Sequence, residues 1–372
     1  MMMTLSQFDQ FMEEMPERGI PECDIAVTLN GELVYSKAVG RDDPERNVSY
    51  VCSISKITTC VAALRLIEEG KLSLDDPVAK YLPAYGHLLV KEKDGSVRPA
   101  RNGMTVRHLF TMTGGLNYSL NYAPILRACA IPGAGTVDVV NSFVQSPLDF
   151  EPGARFQYSL CHDVLAAVVE IACGRRFADY VQETIFDPLG MADSGYHLPE
   201  ELNARMTRQY QYVNGIHRSR EVMPANKYIL TPDYDSGGAG LYTTTPDQLK
   251  LLTALALGGT ARNGYRLLNE ETVRACEVGQ LSDEQILSFW PARLYGYNWG
   301  LCGRVHTRPV ISGSLSPVGE FGWDGATGPY GLVDRQNGLA FYFGMHIYGC
   351  TYIYNQMHGT IRNNVYRTFL GK

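Results

Sequence analysis

Ser53 and Lys56 form the single Ser-x-x-Lys motif of this chain, and these two residue types can support nucleophilic catalysis. A serine hydroxyl is a weak nucleophile until a base takes its proton, and a lysine three residues later lies on the same face of a helix. The N–H groups at a helix N-terminus can hold an oxyanion, and the positive dipole end lowers the pKa of the amine. The motif therefore predicts an acyl-enzyme on Ser53.

A purely structural role also fits this motif, with Ser53 as a helix N-cap and Lys56 as a solvated cation in the first turn. Two details argue against that role. An exposed first turn favours Asp or Glu over lysine, and an apolar run at residues 61–67 follows at once. The turn is therefore expected to point inward, where a lysine needs a function.

Candidates for the remaining catalytic parts lie far along the chain. An acyl-transfer serine needs a proton shuttle to the leaving group and a second oxyanion donor. Tyr158 follows a Pro-Gly turn, where its phenol could face a cleft, although such a tyrosine is commonly a core residue. In F-G-W-D-G-A-T-G, Gly325 allows close approach to its backbone, so the N–H of Ala326 becomes the second donor. A bulge or a crowded strand crossing explains that glycine equally well.

The elements around these residues predict strands at both ends of the chain and helices between them. Residues 24–40 alternate around Asn30-Gly31, a strong hairpin signal, and residues 322–328, 331–334 and 338–345 resemble three antiparallel strands. Helical patterns occupy residues 105–113, 122–130, 136–144, 163–173, 177–186, 246–257 and 352–370. Residues 237–240 are interpreted simply as a tight glycine turn. We expect a sheet lobe from residues 1–70 and 265–372, a mainly helical lobe from residues 71–264, and an active site between them.

The composition narrows the function classes. The 372 residues are 45% hydrophobic and carry a formal net charge of −6 with interspersed signs, which disfavours nucleic acid as a partner and suits a small-molecule substrate. No run approaches transmembrane length, and residues 1–15 resemble an acidic amphipathic helix rather than a signal peptide. Nine cysteines without a Cys-x-x-Cys pair argue against a zinc ribbon and a disulfide framework, so we expect a reducing, cytoplasmic location. We expect no metal and no cofactor. The oligomeric state stays open.

Taken in chain order, Ser-x-x-Lys, Y-S-L-C-H-D-V-L, G-G-A-G-L-Y-T-T-T-P-D-Q-L and F-G-W-D-G-A resemble the serine β-lactamase and penicillin-binding-protein-like superfamily. The closest resemblance is to its class C β-lactamase-related branch, especially the family VIII carboxylesterases. It implies an α+β fold, an antiparallel sheet flanked by helices with an inserted all-helical lobe. It also implies Ser53 as nucleophile, Lys56 as neighbouring base, Tyr158 as proton shuttle, and the N–H groups of Ser53 and Ala326 as the oxyanion hole.

Departures from the family pattern bear on the substrate. Where β-lactamases and carboxypeptidases have an Asn that contacts the substrate amide, this chain has Leu160, which cannot make that hydrogen bond. Where they have a Lys that receives the substrate carboxylate, Trp323 and Asp324 stand before Gly325. An aspartate repels a carboxylate, whereas tryptophan suits the esterase branch. Because neighbouring strand residues point to opposite faces, we expect Trp323 rather than Asp324 in the pocket.

Three functions remain open at this point. The first is a serine hydrolase that acts through an acyl-enzyme on small esters, with Trp323, Asp324, Gly325 and Leu160 near the substrate. The second is an amidase or D-aminopeptidase in which Asp324 binds a substrate amine, or a penicillin-binding or β-lactamase-type hydrolase. The third is a non-catalytic binding homologue, which would have no use for Ser53, Lys56 and Tyr158 together.

Overall fold

The computed structural model describes residues 2–41, 47–213, 218–289 and 294–372. A seven-stranded antiparallel sheet places strands from both ends of the chain side by side. The strands of the described residues are β1 Cys23–Leu29, β2 Glu32–Val39, β3 Ser49–Tyr50, β4 Leu89–Lys91, β5 Val97–Pro99, β6 Gln209–Val213, β7 Arg218–Val222, β8 Tyr242–Thr243, β9 Tyr297–Gly300, β10 Gly303–His306, β11 Phe321–Asp324, β12 Tyr330–Asp334, β13 Leu339–Gly344 and β14 Ile347–Tyr348. The seven-stranded sheet has the strand order β2-β1-β13-β12-β11-β10-β9, so the sheet from both termini that the sequence predicted is present.

Local sequence accounts for the first hairpin. Asn30 and Gly31 connect β1 to β2 with φ values of 50° and 82°, the left-handed conformation that a two-residue hairpin turn needs. The predicted Asn-Gly hairpin is therefore confirmed. The three predicted C-terminal strands correspond to β11, β12 and β13, whereas β9 and β10 were not assigned individually from the sequence.

Alternation along the central strands separates two hydrophobic cores. On β1, Ile25 and Val27 enter one core while Ala26 enters the other, and on β13, Phe341 and Tyr342 divide in the same way. Side chains of successive strand residues point to opposite faces, so each strand supplies both cores. The larger core contains Trp323 and the helices of the inserted segment, and we call it the inner core; the other, the outer core, lies against the N- and C-terminal helices.

Helices cover both faces of the sheet and recur throughout the inserted segment. They are α1 Leu5–Glu13, α2 Ser55–Glu68, α3 Val106–Phe110, α4 Ala123–Cys129, α5 Thr136–Asn141, α6 Cys161–Cys173, α7 Phe177–Val181, α8 Asp187–Leu189, α9 Glu200–Asn203, α10 Thr245–Ala256, α11 Glu270–Cys276, α12 Asp283–Ile286, α13 Pro309–Ser312 and α14 His358–Phe369. Wider π-type turns, Gln182–Phe186 and Ile353–Met357, precede α8 and α14. Within the described ranges, no helix is both long and apolar enough to cross a membrane.

The inserted segment also contains short strands, and its last helix packs on the sheet. The β4–β5 and β6–β7 hairpins lie within residues 71–264, and β6 is joined by β14 from the C-terminal region. Helix α10 contacts β1, where the Thr253 and Thr28 hydroxyls lie 2.8 Å apart. The predicted division into lobes at residues 71 and 264 stays a prediction. Helix α10 falls within the predicted helical lobe but packs against the sheet.

Candidate active site

Ser53 lies in a tight turn, Cys52–Ile54, that leads directly into α2. Cys52, just before the serine, has a φ of 47°, an uncommon conformation for a non-glycine residue and one that marks functional turns. The Ser55 hydroxyl donates a hydrogen bond to the Cys52 carbonyl (2.6 Å), which fixes the turn from the helix side. Ser53 is 7% exposed and borders a cavity, so its hydroxyl is held at the cavity floor.

The ammonium group of Lys56 lies among three hydrogen-bond acceptors. Its Nζ is 3.1 Å from Ser53 Oγ, 3.1 Å from the Tyr118 hydroxyl and 2.6 Å from the Gly238 carbonyl oxygen. These contacts use all three N–H donors of a charged lysine. A neutral amine has two donors and one lone pair, so it can keep two contacts and accept the Ser53 proton through the third. The predicted approach of Lys56 to Ser53 is present in the structure.

Burial favours the neutral form of Lys56. The side chain is 2% exposed, and removal from water lowers its pKa from 10.5 to about 8. The nearby carboxylate of Asp163 acts in the opposite direction but is outweighed. A lysine with a pKa near neutral can serve as a general base at physiological pH, which an exposed lysine cannot do.

Asp163 and Gly238 position Lys56, and neither residue was predicted from the sequence to belong to the site. The buried Asp163 carboxylate accepts hydrogen bonds from Tyr234 (2.8 Å), Ser236 (2.6 Å) and the Gly238 N–H (3.3 Å). A Cβ at Gly238 would overlap the Asp163 carboxylate, so only glycine permits this approach. The predicted glycine turn at residues 237–240 exists, but it also aims the Gly238 carbonyl at Lys56.

Tyr158 and Trp323 are joined by a hydrogen bond with a fixed direction. The Trp323 indole N–H donates to the Tyr158 phenol oxygen at 2.9 Å, and because indole is only a donor the phenol must accept. The phenol proton is thereby left for another acceptor, such as a bound leaving group. Burial raises the pKa of Tyr158, while hydrogen bonds with Ser53 and Trp323 act in the opposite direction. The phenol therefore stays protonated at neutral pH.

The turn after β11 brings Ala326 to the cavity beside Ser53. Two backbone hydrogen bonds close this turn, one from the Gly325 N–H to the Pro329 carbonyl (3.0 Å) and one from the Gly328 N–H to the Gly325 carbonyl (2.8 Å). The Thr327 hydroxyl donates to the Tyr50 carbonyl (2.8 Å), which ties the turn to the segment before Ser53. We refer to residues 325–328 as the oxyanion turn, after the role that the sequence resemblance implies for the Ala326 N–H.

The cavity above Ser53 has a volume of about 1260 Å³. Most of the side chains that border it are aromatic or aliphatic, among them Tyr118, Leu120, Phe156, Tyr228, Leu230 and Phe289. Tyr118 stacks on Tyr158 with 5.6 Å between ring centroids, and Tyr228 packs edge-on against Tyr118. Such walls favour an apolar ligand with a few polar groups at its reacting end.

Three predictions about substrate-contacting residues change with the structure. Leu160 is 4% exposed, joins the inner core at the start of α6 and does not border the cavity, because an apolar side chain is stabilised by burial. Gly325 does not border the cavity either. A Cβ at this position would overlap the Val51 carbonyl oxygen. The group that approaches the Gly325 backbone is therefore the chain before Ser53, not a substrate. The expectation that Trp323 alone lines the pocket is wrong.

Asp324 also borders the cavity, because it is the last residue of β11 and strict strand alternation ends there. Its Oδ2 lies 3.8 Å from His358 Nδ1, and its side chain is 9% exposed. The carboxylate is therefore close to the site but is turned partly toward the C-terminal helix.

Tyr118 takes part in the site although no sequence signal singled it out. Its contact with Lys56 spans 62 positions in the chain. The nearest available signal was its position just after the glycine pair at residues 114–115, in a segment between two predicted motifs. Within the described residues, no group of three or more His, Cys, Asp or Glu side chains is arranged to hold a metal ion.

Comparison with known proteins places this geometry in a family. The sequence profile described as Beta-lactamase matches residues 8–346. Esterase EstB of Burkholderia gladioli is 30% identical over 370 residues, which cover 89% of this chain and 87% of EstB. This relative supports the esterase branch that the sequence motifs indicated.

Solved structures show the same fold at lower identity. EstCE1, described as a hydrolase with promiscuous acyltransferase activity, has a TM-score of 0.79 and 23% identity, with 96% of this chain and 97% of EstCE1 covered. Unliganded simvastatin synthase LovD from Aspergillus terreus has a TM-score of 0.80 and 21% identity, with 96% of each chain covered. The predicted β-lactamase-like α+β fold is thereby confirmed. With its profile matched over residues 8–346 and EstB similar along most of both sequences, this chain belongs to the beta-lactamase family, as its Ser-x-x-Lys motif predicted.

Proposed function

We propose that this protein is a metal-independent serine esterase that works through an acyl-enzyme on Ser53. The observation that carries the proposal is the position of a buried lysine, with its pKa lowered to about 8, 3.1 Å from a serine hydroxyl at the floor of an aromatic cavity. The relationship to esterase EstB supports the same class of reaction.

Acylation follows from the contacts of Ser53. Its Oγ forms a bond to the ester carbonyl carbon while the hydroxyl proton moves to the neutral amine of Lys56. The carbonyl electron pair moves onto the oxygen, and the resulting oxyanion accepts hydrogen bonds from the Ser53 and Ala326 N–H groups. When the carbonyl re-forms, the bond to the alcohol oxygen breaks, and that oxygen receives the proton of the Tyr158 phenol, which Lys56 replaces with the proton it took from Ser53.

Deacylation repeats these events with water. A water molecule attacks the acyl carbon and its proton goes to the neutral Lys56 amine, either directly or through the Tyr158 phenol, which passes its own proton to Lys56 as it takes one from water. The bond to Ser53 Oγ then breaks, Oγ takes a proton back from Lys56, and the carboxylic acid leaves. Both groups lie close to Ser53, since the Lys56 Nζ is also 4.9 Å from the centre of the Tyr158 ring. An alcohol in place of water would give acyl transfer by the same steps.

The lining of the cavity favours a neutral, largely apolar ester. Trp323 occupies the place where carboxylate-binding members of the family have lysine, and the Asp324 carboxylate beside it would repel a substrate carboxylate. Both features count against β-lactams and D-Ala-D-Ala peptides. The volume of about 1260 Å³ leaves room for a bulky acyl or alcohol group.

Replacement of the nucleophile tests this function directly. The Ser53→Ala variant should lose p-nitrophenyl butyrate turnover by more than about a thousandfold and keep its melting temperature, since the hydroxyl carries the covalent step. Turnover is followed at 405 nm, and mass spectrometry of the Ser53 peptide after incubation with a fluorescent penicillin reports lasting adducts. Retained turnover in the variant would remove Ser53 from the mechanism, and a stable penicillin adduct would favour a penicillin-binding protein.

An amidase is the second candidate, because Asp324 borders the cavity and a carboxylate there can bind a substrate amine. On that hypothesis, Asp324→Asn raises KM for amine-bearing amides and leaves neutral esters unchanged. Equal effects on the two substrate classes would exclude it. A reducing, cytoplasmic location also belongs to the proposal, supported by nine cysteines that are all free thiols.

A further inference from the structure

The C-terminal helix reaches the oxyanion turn through an irregular first turn. The π-type turn Ile353–Met357 runs directly into α14, and such turns are rare and occur frequently at functional sites. It carries Tyr354, which borders the cavity. The Tyr354 hydroxyl donates a hydrogen bond to the Gly325 carbonyl oxygen at 2.8 Å.

This contact acts on the peptide that supplies the second oxyanion donor. The Gly325 carbonyl and the Ala326 N–H belong to one peptide group, which is planar, so a hydrogen bond that fixes the carbonyl also fixes the direction of the N–H. The same carbonyl accepts the Gly328 N–H at 2.8 Å, so both of its lone pairs are used. Two donors on the carbonyl draw electron density from the peptide and make its N–H a stronger donor.

The helix holds the other end of the oxyanion turn as well. His358 Nε2 lies 3.0 Å from the Gly328 carbonyl oxygen, and since a carbonyl only accepts, this nitrogen carries the proton. The opposite ring nitrogen faces the Asp324 carboxylate at 3.8 Å, and the ring stacks on Tyr330 with centroids 4.5 Å apart. His358 is thereby oriented by contacts on several sides.

We propose that Tyr354 is a positioning residue of the oxyanion hole, which orients and polarises the Gly325–Ala326 peptide through its carbonyl, with His358 anchoring the far end of the turn. This inference rests on the proposed esterase function, because an oxyanion forms only if Ser53 attacks a carbonyl. It assigns the C-terminal helix a part in transition-state stabilisation. Tyr354 itself acts only through the peptide.

Tyr354→Phe tests the proposal because it removes one hydroxyl and keeps the ring. The full-length variant should lose about threefold to tenfold in kcat on p-nitrophenyl butyrate, with KM within about twofold, because the hydrogen bond matters most when the oxyanion develops. Affinity for phenylboronic acid, which becomes tetrahedral on a serine oxygen, should fall by the same factor. Binding of butyrate, the trigonal product, should not change.

Tyr366→Phe is the matched control, because Tyr366 lies about three turns further along the same helix and donates to Asp334 Oδ2 at 2.6 Å, away from the cavity. It should lower the melting temperature without changing kcat. An unchanged kcat in Tyr354→Phe, or a rise in KM alone, would overturn the inference while the esterase function stands. A wild-type protein without ester turnover would instead refute the proposed function, and the inference would fall with it.

Discussion

At the residue scale, the protonation of Lys56 should control activity in a range accessible to experiment. The amine acts as a base only when neutral, and burial lowers its pKa to about 8. We therefore expect kcat/KM for a neutral ester to rise about tenfold per pH unit below this value and to level off above it, because kcat/KM reports the free enzyme. A stopped assay in overlapping buffers from pH 5.5 to 9.5 measures the profile.

Lys56→Arg is the control for that profile, since a guanidinium stays charged throughout the range. It should reduce kcat/KM by about 10² to 10⁴. A wild-type rate that still rises tenfold per unit at pH 9.5 would mean that burial does not shift the pKa of this lysine in solution, and a midpoint below 6 would assign the base to another group.

Removal of the Tyr118 hydroxyl should change both the rate and its pH dependence. The Tyr118→Phe variant loses an acceptor 3.1 Å from Lys56 Nζ, and since that hydrogen bond favours the charged amine, the midpoint of kcat/KM should move to lower pH. We expect kcat to fall by about tenfold at the plateau, because Lys56 is held less well. Tyr122→Phe serves as control: its hydroxyl only accepts a hydrogen bond from Asn117 in the described structure. An equal effect of both variants would contradict a specific role for Tyr118.

Sequence spacing identified the site residues that are close in the chain, but not those that come together only in the folded structure. Ser53 and Lys56 are three positions apart, so a helix alone brings them together. Tyr118 and Gly238 approach Lys56 from 62 and 182 positions away, and no periodicity encodes such a distance. Leu160 was placed by analogy with an Asn, and an apolar residue at that position turns into the core instead.

At the element scale, close packing of the oxyanion turn against the segment before Ser53 should be intolerant of a methyl group. A Cβ at Gly325 would overlap the Val51 carbonyl oxygen, so Gly325→Ala must move β11 and with it the Ala326 N–H. We expect kcat to fall by about 10² to 10³, as for loss of an oxyanion donor, with a destabilisation of about 1–3 kcal/mol. Steady-state kinetics and urea unfolding measure the two effects.

Gly103→Ala is matched to this change, because a Cβ there would meet nothing within 4 Å. It should alter neither rate nor stability appreciably. If Gly325→Ala lost stability but retained kcat, the position of the Ala326 N–H would not depend on this packing.

Helices and strands with a clear hydrophobic period or turn signal could be predicted from the sequence. Short strands that are defined only by their hydrogen bonds to neighbouring strands could not. The Asn-Gly hairpin and the helices at Thr136–Asn141 and Thr245–Ala256 follow from turn chemistry and helical spacing. The short strands Tyr297–Gly300 and Gly303–His306 are four residues each and carry no alternation long enough to recognise. Their assignment depends on hydrogen bonds to each other and to β11, which only the folded sheet supplies.

At the scale of the whole molecule, the sheet separates most of the active site from the outer core, although Tyr354 packs against the outer core and also borders the cavity. Ser53 is preceded by Val51 of the inner core, and Trp323 belongs to the same core, whereas α1 and α14 cover the opposite face. Stability and catalysis should therefore respond separately to changes on the outer face. The residue best placed to show this is Phe8, which is fully buried between Tyr35 and Phe369, with ring centroids 5.1 Å and 5.8 Å away.

Phe8→Ala should lower the free energy of unfolding by about 3–5 kcal/mol, because it removes a buried ring and leaves a cavity between three elements. The rate per folded molecule should stay within about twofold of wild type, since Phe8 belongs to the outer core and not to the core that contains Trp323. Leu5→Ala, on the same helix but 51% exposed at that side chain, should change neither quantity. Urea unfolding followed by fluorescence gives the stability, and kcat is measured well below the transition. A fall in kcat that parallels the loss of stability would show instead that the sheet transmits strain from the outer face to the oxyanion turn.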